Sequence, residues 1–146
     1  MALHFEPALA EDLDTLFALR MEVMREHLVR LGLTDTQVSR ARYDQQCKDG
    51  AIQHILHEGE RVGFVQLVPS GDHLHLVQLF LRREAQGAGL GAMVVGWAKS
   101  HGQDLTLTTL KLSPANRFYL RHGFVQTGEG EFDNEYRWSP PRNAQA

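Results

Sequence analysis

Three glycines in six residues separate an apolar stretch from a segment with helical periodicity. Glycines at a helix start let the backbone approach an anion closely, and the free N–H groups of the first helical turn then bind phosphate oxygens. The sequence therefore predicts a phosphate-binding loop in front of a helix. The loop consists of Gln86, Gly87, Ala88, Gly89, Leu90 and Gly91.

Spacing argues against two common kinds of nucleotide site at this loop. A Walker P-loop requires Lys and Ser or Thr after its last glycine, where Ala92 and Met93 stand. A Rossmann site requires an acidic residue at the end of the next strand, whereas Asp104 precedes that strand. A strand-to-helix turn without a ligand also contains such glycines, so the loop has to be interpreted with its surroundings.

The elements around the loop follow from hydrophobic periodicity and turn residues. Their order is β-α-α-β-β-β-α-β-α-β-β, which predicts one α/β domain over residues 1–138 with helices on the faces of a mixed sheet. Residues 139–146 are expected to form a flexible tail. The predicted strands are 3–8, 51–57, 61–68, 73–81, 105–112, 124–127 and 136–138, and the predicted helices are 11–31, 36–48, 90–101 and 114–122.

Composition narrows the functional classes. The chain has 146 residues, 42% of them hydrophobic and 23% charged, and a net charge of −3. We therefore expect neither a nucleic-acid partner nor a membrane partner. A single cysteine, Cys47, cannot form an intrachain disulfide and fits a reducing compartment, so we expect a cytoplasmic protein.

The loop resembles the pyrophosphate loop of the GNAT superfamily of N-acetyltransferases, whose signature is Gln/Arg-x-x-Gly-x-Gly/Ala. Gln86, Gly89 and Gly91 match that signature, and three strands in hairpin order precede the loop as in that family. The resemblance implies acetyl-CoA as cosubstrate and no metal. It also implies that the loop amides hold the pyrophosphate and that the backbone of Phe80 and Leu81 pairs with the pantetheine arm between two splayed strands.

A second segment, residues 113–124, resembles the family's stretch Asn-x-x-Ala-x-x-x-Tyr-x-x-x-Gly-Phe. Leu112 occupies the asparagine position. Asn116 shares a helix face with Tyr119, and we expect Asn116 to contact the pantetheine. Arg82, Arg117 and Arg121 are candidates for the 3′-phosphate of CoA, and the alternative for each is an ordinary solvated side chain. The residues in register with the stretch are Ala115, Tyr119, Gly123 and Phe124.

By the same resemblance Tyr119 protonates the departing thiolate. A phenol has a pKa of about 10 and a thiol about 8.5, so the tyrosine still carries its proton when the thiolate needs one. The alternative is that Tyr119 only packs against Phe118 and Phe124 in the core.

Acyl transfer to an amine also requires a group that removes the amine's proton, and His75 is the predicted general base because it titrates near neutrality. Strand alternation predicts that His75, Val77, Leu79 and Leu81 share one face. A partly buried structural role is the alternative for His75. Glu22 and His27 are the next candidates for the base.

The resemblance implies an acetyl-CoA-dependent N-acetyltransferase that acts on a primary amine of a small molecule or peptide by direct attack in a ternary complex, with Leu81 N–H polarising the thioester carbonyl. The alternative is a non-catalytic acyl-CoA-binding or regulatory module of the same fold. A homodimer is a family-level expectation. Four acidic residues would attract a cationic amine or simply form a solvated face: Glu129, Glu131, Asp133 and Glu135.

Overall fold

The structure, a computed structural model, describes residues 2–141 and has the predicted order of elements. Short 3-10 segments precede the first helix (Ala10–Asp12) and follow the fourth strand (Arg83–Ala85). The remaining elements are β1 (Leu3–Pro7), α1 (Leu13–Arg30), α2 (Thr36–Cys47), β2 (Ile52–His57), β3 (Glu60–Ser70), β4 (His73–Leu81), α3 (Leu90–Lys99), β5 (Leu105–Leu110), α4 (Ala115–Arg121), β6 (Val125–Glu129) and β7 (Asp133–Trp138).

Element ends differ from the prediction where local hydrogen bonding decides them. Helix α4 begins at Ala115, one residue later than predicted, although Pro114 already has helical dihedral angles and Ser113 Oγ accepts from the Ala115 N–H at 3.1 Å, as an N-cap residue does. Strand β7 begins at Asp133, earlier than predicted, because it pairs with the whole of β5. In the expected tail, Ser139 Oγ donates to Asp104 Oδ2 at 2.9 Å, and residues 142–146 lie outside the described part of the chain.

The strands form one sheet in the order β1-β2-β3-β4-β5-β7-β6, and its neighbouring strands are antiparallel except for β4 and β5. These two parallel strands pair only from Leu74 to Leu76 on β4 and from Leu105 to Leu107 on β5. Beyond Leu76, β4 stays paired with β3 and β5 stays paired with β7. The two strands therefore diverge and open a wedge-shaped gap in the middle of the sheet.

A β-bulge at Val77 marks the point where the gap begins. Gln66 of β3 pairs with Gln78, and the next residue of β3 pairs with Leu76, so Val77 is the extra residue. An extra residue reverses the alternation of side chains along the rest of the strand. Leu79 and Leu81 consequently pack on the same side of the sheet as Leu76.

The bulge makes one prediction wrong, because His75 does not share a face with Leu79 and Leu81. It shares the opposite face with Gln78 and with Phe80, which packs in the cluster formed with α1 and α2. Leu79 and Leu81 belong to the cluster on the α3 and α4 side. One face of β4 near the gap thus carries the polar side chains of His75 and Gln78, and the other carries the apolar side chains of Leu79 and Leu81.

In the part of the chain that the structure describes, no helix is both long enough and apolar enough to cross a membrane.

Candidate active site

The glycine loop presents a row of free backbone donors at the start of α3. Gly89 is the N-cap residue and has a φ of 81°, a left-handed conformation that glycine adopts at little cost. The first hydrogen bond of the helix runs from Met93 N–H to Gly89 C=O at 3.2 Å. Within residues 2–141, the N–H groups of residues 87–92 have no acceptor. Six consecutive free donors at a helix N-terminus form an anion-binding surface.

Two contacts hold this loop against the end of β4 and against α4. Gln86 Nε2 donates to Leu81 C=O at 3.0 Å. A Cβ on Gly91 would lie 3.3 Å from Cζ of Phe118 and 3.8 Å from Cδ1 of Leu81. The glycine at position 91 therefore lets α3, α4 and β4 meet at one point, next to the free donors.

The edge of β4 that faces the gap has unpaired backbone groups. Arg82 N–H donates to Val62 C=O at 2.8 Å, and Phe64 lies opposite Phe80. Hydrogen-bonded pairs alternate along an antiparallel ladder, so the backbone of Phe80 bonds β3 while the backbones of Leu79 and Leu81 point into the gap. Leu79 thus presents backbone groups to the gap, which the sequence did not indicate. The backbone of Phe80 bonds β3, and the Leu81 C=O already accepts from Gln86 Nε2.

Tyr119 lies on the α4 side of the gap. Its side chain is 7% exposed and packs edge-on against Phe118 and Phe124 at 5.1 and 5.3 Å between ring centroids. The hydroxyl group donates to no atom of residues 2–141 and accepts from none. Burial raises the pKa of the Tyr119 phenol above its ordinary value. The side chain therefore carries a proton at neutral pH that no protein group holds.

The Asn116 side chain takes part in five hydrogen bonds. Its Nδ2 donates to the carbonyls of Leu110 and Ser113, both at 2.9 Å. Its Oδ1 accepts from Thr109, Asn134 and Tyr136 at 2.6, 2.9 and 2.8 Å. These bonds join the start of α4 to β5 and β7 and so position Tyr119. A contact of Asn116 with the pantetheine stays a prediction, and both amide hydrogens already have partners.

His75 lies on the α1 and α2 side of the sheet, just before the bulge. Its Nδ1 is 2.7 Å from Thr106 Oγ1. Burial, together with the nearby His73, lowers the pKa of the His75 imidazole below its ordinary value of 6.5, and Asp49 opposes this shift. The neutral ring that can accept a proton is therefore the main form at pH 7.

The other two candidates for the general base, Glu22 and His27, lie in the second half of α1. Glu22 is exposed, and its backbone carbonyl accepts from Arg83 Nη2 at 2.9 Å, so this part of α1 borders the loop after β4. His27 Nδ1 is buried without a partner among the described residues.

Comparison with known proteins shows which family has this fold and this loop. The family described as Acetyltransferase (GNAT) domain matches residues 49–126, more than half of the chain. The chain belongs to the GNAT acetyltransferase family. An aminoalkylphosphonate N-acetyltransferase of Salmonella typhimurium is 29% identical, over 82% of this chain and 83% of that protein.

Solved GNAT structures share the fold at low sequence identity. An acetyltransferase from Thermus thermophilus has a TM-score of 0.71 at 18% identity, over 94% of this chain and 97% of that one. The PaiA N-acetyltransferase from Thermoplasma acidophilum, solved with coenzyme A, has a TM-score of 0.64 at 16% identity, over 96% of this chain and 100% of that one. The predicted α/β mixed sheet of GNAT type is thereby confirmed.

Leu112, at the asparagine position of the GNAT stretch, has a strained backbone. Its φ is 72° and its side chain is 59% exposed. The left-handed conformation costs a leucine roughly 1–2 kcal/mol, and Asn and Gly adopt it more readily.

We expect Leu112→Asn to raise the free energy of unfolding by about 1 kcal/mol, because the strain falls while little packing is lost. Urea unfolding measures the change. Leu120→Asn is the matched control, since Leu120 is 53% exposed in α4 with an ordinary helical backbone, and it should lower stability slightly. Equal effects of the two variants would show that the backbone at position 112 is not under strain.

Two of the four acidic residues that would attract a cationic amine are paired with basic residues. Glu129 bonds Lys111 at 2.7 Å, and Asp133 lies 3.8 Å from Arg42 of α2. The second contact brings α2 next to β7 on the His75 side of the sheet. Arg117 and Arg121 line a surface cavity at the start of α4, together with Asn134.

Proposed function

We propose that this GNAT protein transfers the acetyl group of acetyl-CoA to a primary amine of a small molecule or peptide, within one ternary complex. The free donors of residues 87–92 beside the open edge of β4 carry this proposal. Together they offer one surface for a pyrophosphate and, next to it, a strand edge for an amide-containing arm.

In this arrangement the pantetheine arm lies along β4 as an added strand. Leu79 and Leu81 supply the backbone groups that pair with its amides. Leu79 is nearer to the point of the wedge and further from the glycine loop, so its N–H polarises the thioester carbonyl. This assignment replaces Leu81, the residue named on sequence grounds.

The chemistry then requires two proton transfers. The amine nitrogen attacks the thioester carbonyl, a C–N bond forms and the C–S bond breaks. The proton lost by the amine passes to His75, directly or through a water molecule. Tyr119 gives its proton to the thiolate, because a phenol with a raised pKa does not ionise first.

We expect His75→Gln to lower kcat/KM by about tenfold to a hundredfold at pH 7.5, because the general base is lost. The pKa of His75 lies below 6.5, so the wild-type advantage should be constant above pH 7 and shrink as the pH falls below 6.5. The measurement is the ratio of wild-type to variant kcat/KM across pH.

His73→Gln is the matched control, because His73 pairs with Asp72 at 3.0 Å on the same strand without facing the gap. It should keep the rate at pH 7.5, and its pH profile should move slightly toward higher pH, because His73 lowers the pKa of His75. A wild-type advantage that does not change with pH would remove His75 from proton transfer.

The transfer itself is tested by adding CoA in a thermal-shift assay and then following thiol release from acetyl-CoA with a panel of primary amines. A rise in the unfolding midpoint with CoA, together with amine-dependent thiol release, supports the proposal. Stabilisation by CoA without transfer to any amine would instead favour the non-catalytic acyl-CoA-binding module. The similar Salmonella enzyme is named for an acceptor that carries an amine and a phosphonate, so the panel should include such compounds.

A further inference from the structure

Arg20 of α1 is a buried cation without a counterion. The side chain is 6% exposed, and among the described residues no carboxylate lies within 4.0 Å of it. Its Nη1 donates to Gln46 Oε1 at 2.5 Å and to Gln78 Oε1 at 2.8 Å. Its Nε is buried without a partner, and Nη2 makes no hydrogen bond to residues 2–141.

This arrangement leaves a positive charge uncompensated. Buried arginines are normally paired with carboxylates, since desolvating an unpaired charge costs several kcal/mol. Burial, together with the nearby Arg42, lowers the pKa of the Arg20 guanidinium to about 10, so the group is still charged at neutral pH. Neutral carboxamides satisfy only one of its three nitrogens.

The guanidinium group is held in a fixed position beside the gap. Its central carbon lies 5.6 Å from the ring centroid of Tyr43 and 5.9 Å from that of Phe80. Gln78, its partner on β4, is fixed in turn by a bond from Nε2 to Gln66 Oε1 at 2.8 Å. Gln78 immediately precedes Leu79, whose backbone faces the gap. Arg20 is therefore on the same face of the sheet as His75, the proposed general base.

The free part of the guanidinium has the shape of an anion site. Nε and Nη2 lie on one edge of the planar group, and N–H groups on such an edge bind the two oxygens of a carboxylate or phosphonate side by side. The opposite nitrogen, Nη1, is the one used by Gln46 and Gln78. The protein thus anchors Arg20 through Nη1 and leaves Nε and Nη2 without a hydrogen-bond partner among residues 2–141.

We propose that Arg20 binds an anionic group of the acceptor, so that the substrates are amines that also carry a carboxylate or a phosphonate. This inference rests on the proposed acetyl transfer. Binding of the anion at Arg20 places the amine toward His75 and the point of the wedge. The missing counterion of Arg20 is then supplied by the substrate.

The test compares acceptors that differ only in the acidic group: 2-aminoethylphosphonate, 3-aminopropanoate and propylamine, each with saturating acetyl-CoA. Wild-type kcat/KM should be about thirtyfold to a hundredfold higher for at least one acidic amine than for propylamine. Arg20→Met should remove this preference, mainly through KM, and leave propylamine and the affinity for CoA unchanged. Replacing an unpaired buried charge by an apolar side chain of similar length is compatible with folding.

Arg42→Met is the matched control, because Arg42 is on α2, half-exposed and paired with Asp133. It should keep the preference for the acidic amine. Equal wild-type rates for acidic and plain amines, or an equal loss on both in Arg20→Met, would overturn the anion site and leave the transferase proposal standing.

A binding measurement separates the two proposals. With CoA bound, methylphosphonate or acetate should raise the unfolding midpoint of the wild type and of Arg42→Met, but not of Arg20→Met. The two probes show which anion is preferred. Such a shift without acetylation of any amine would reject the transfer and keep the anion site. The absence of any anion-induced shift that is lost in Arg20→Met would reject the anion site.

Discussion

Gly89→Asp is expected to weaken CoA binding by about tenfold to a hundredfold, because it places a carboxylate where the pyrophosphate has to bind. The position has room for a side chain, since a Cβ there would meet no atom within 4 Å. The new charge would lie beside the free donors of residues 87–92 and repel the phosphates. Isothermal titration of CoA measures the change.

Gly89→Asn separates the charge from every other effect of the substitution. Asn has the same shape as Asp, tolerates the same φ of 81°, and can accept the same hydrogen bonds from the first turn of α3. It should retain most of the affinity that Asp loses. Equal affinities for the two variants would show that no anion binds at this helix start.

Tyr119→Phe is expected to lower kcat about a hundredfold with little change in CoA affinity, because it removes the proton donor for the departing thiolate. The hydroxyl has no partner among the described residues, so its removal leaves no protein group unsatisfied. The free energy of unfolding should therefore stay within about 0.5 kcal/mol of the wild type.

Tyr136→Phe is the matched control in the same core. The hydroxyl of Tyr136 donates to Asn116 Oδ1 at 2.8 Å, so this variant should lose about 1 kcal/mol of stability and keep its kcat. The two tyrosines are thus expected to show opposite effects on rate and stability. Unchanged kcat in Tyr119→Phe would remove this residue from the mechanism.

The sequence predicted the order of elements and the place of the glycine loop because both depend on local patterns. The sequence also contains a sign of the bulge at Val77. Polar residues stand at positions 73 and 75 of β4 and then at 78, so the alternation changes phase within the strand. The phase change places His75 on the face opposite to that of Leu79 and Leu81.

Other site features depend on contacts that are distant in the chain. Arg20 interrupts the apolar stripe of α1 between Leu16 and Met24, which indicates an unusual residue but not its partners. Its environment arises only when α2 and β4 bring Gln46 and Gln78 to it. Asn116 likewise receives two of its five hydrogen bonds from Asn134 and Tyr136 of β7, which the local motif around α4 does not indicate.

Mass spectrometry of a reaction with acetyl-CoA and the amine panel tests the central claim most directly. The account predicts an N-acetylated amine for at least one acceptor, in amounts equal to the thiol released, and its loss in Tyr119→Phe. Thiol release without an acetylated amine, or no product from any acceptor while CoA stabilises the protein, would contradict it.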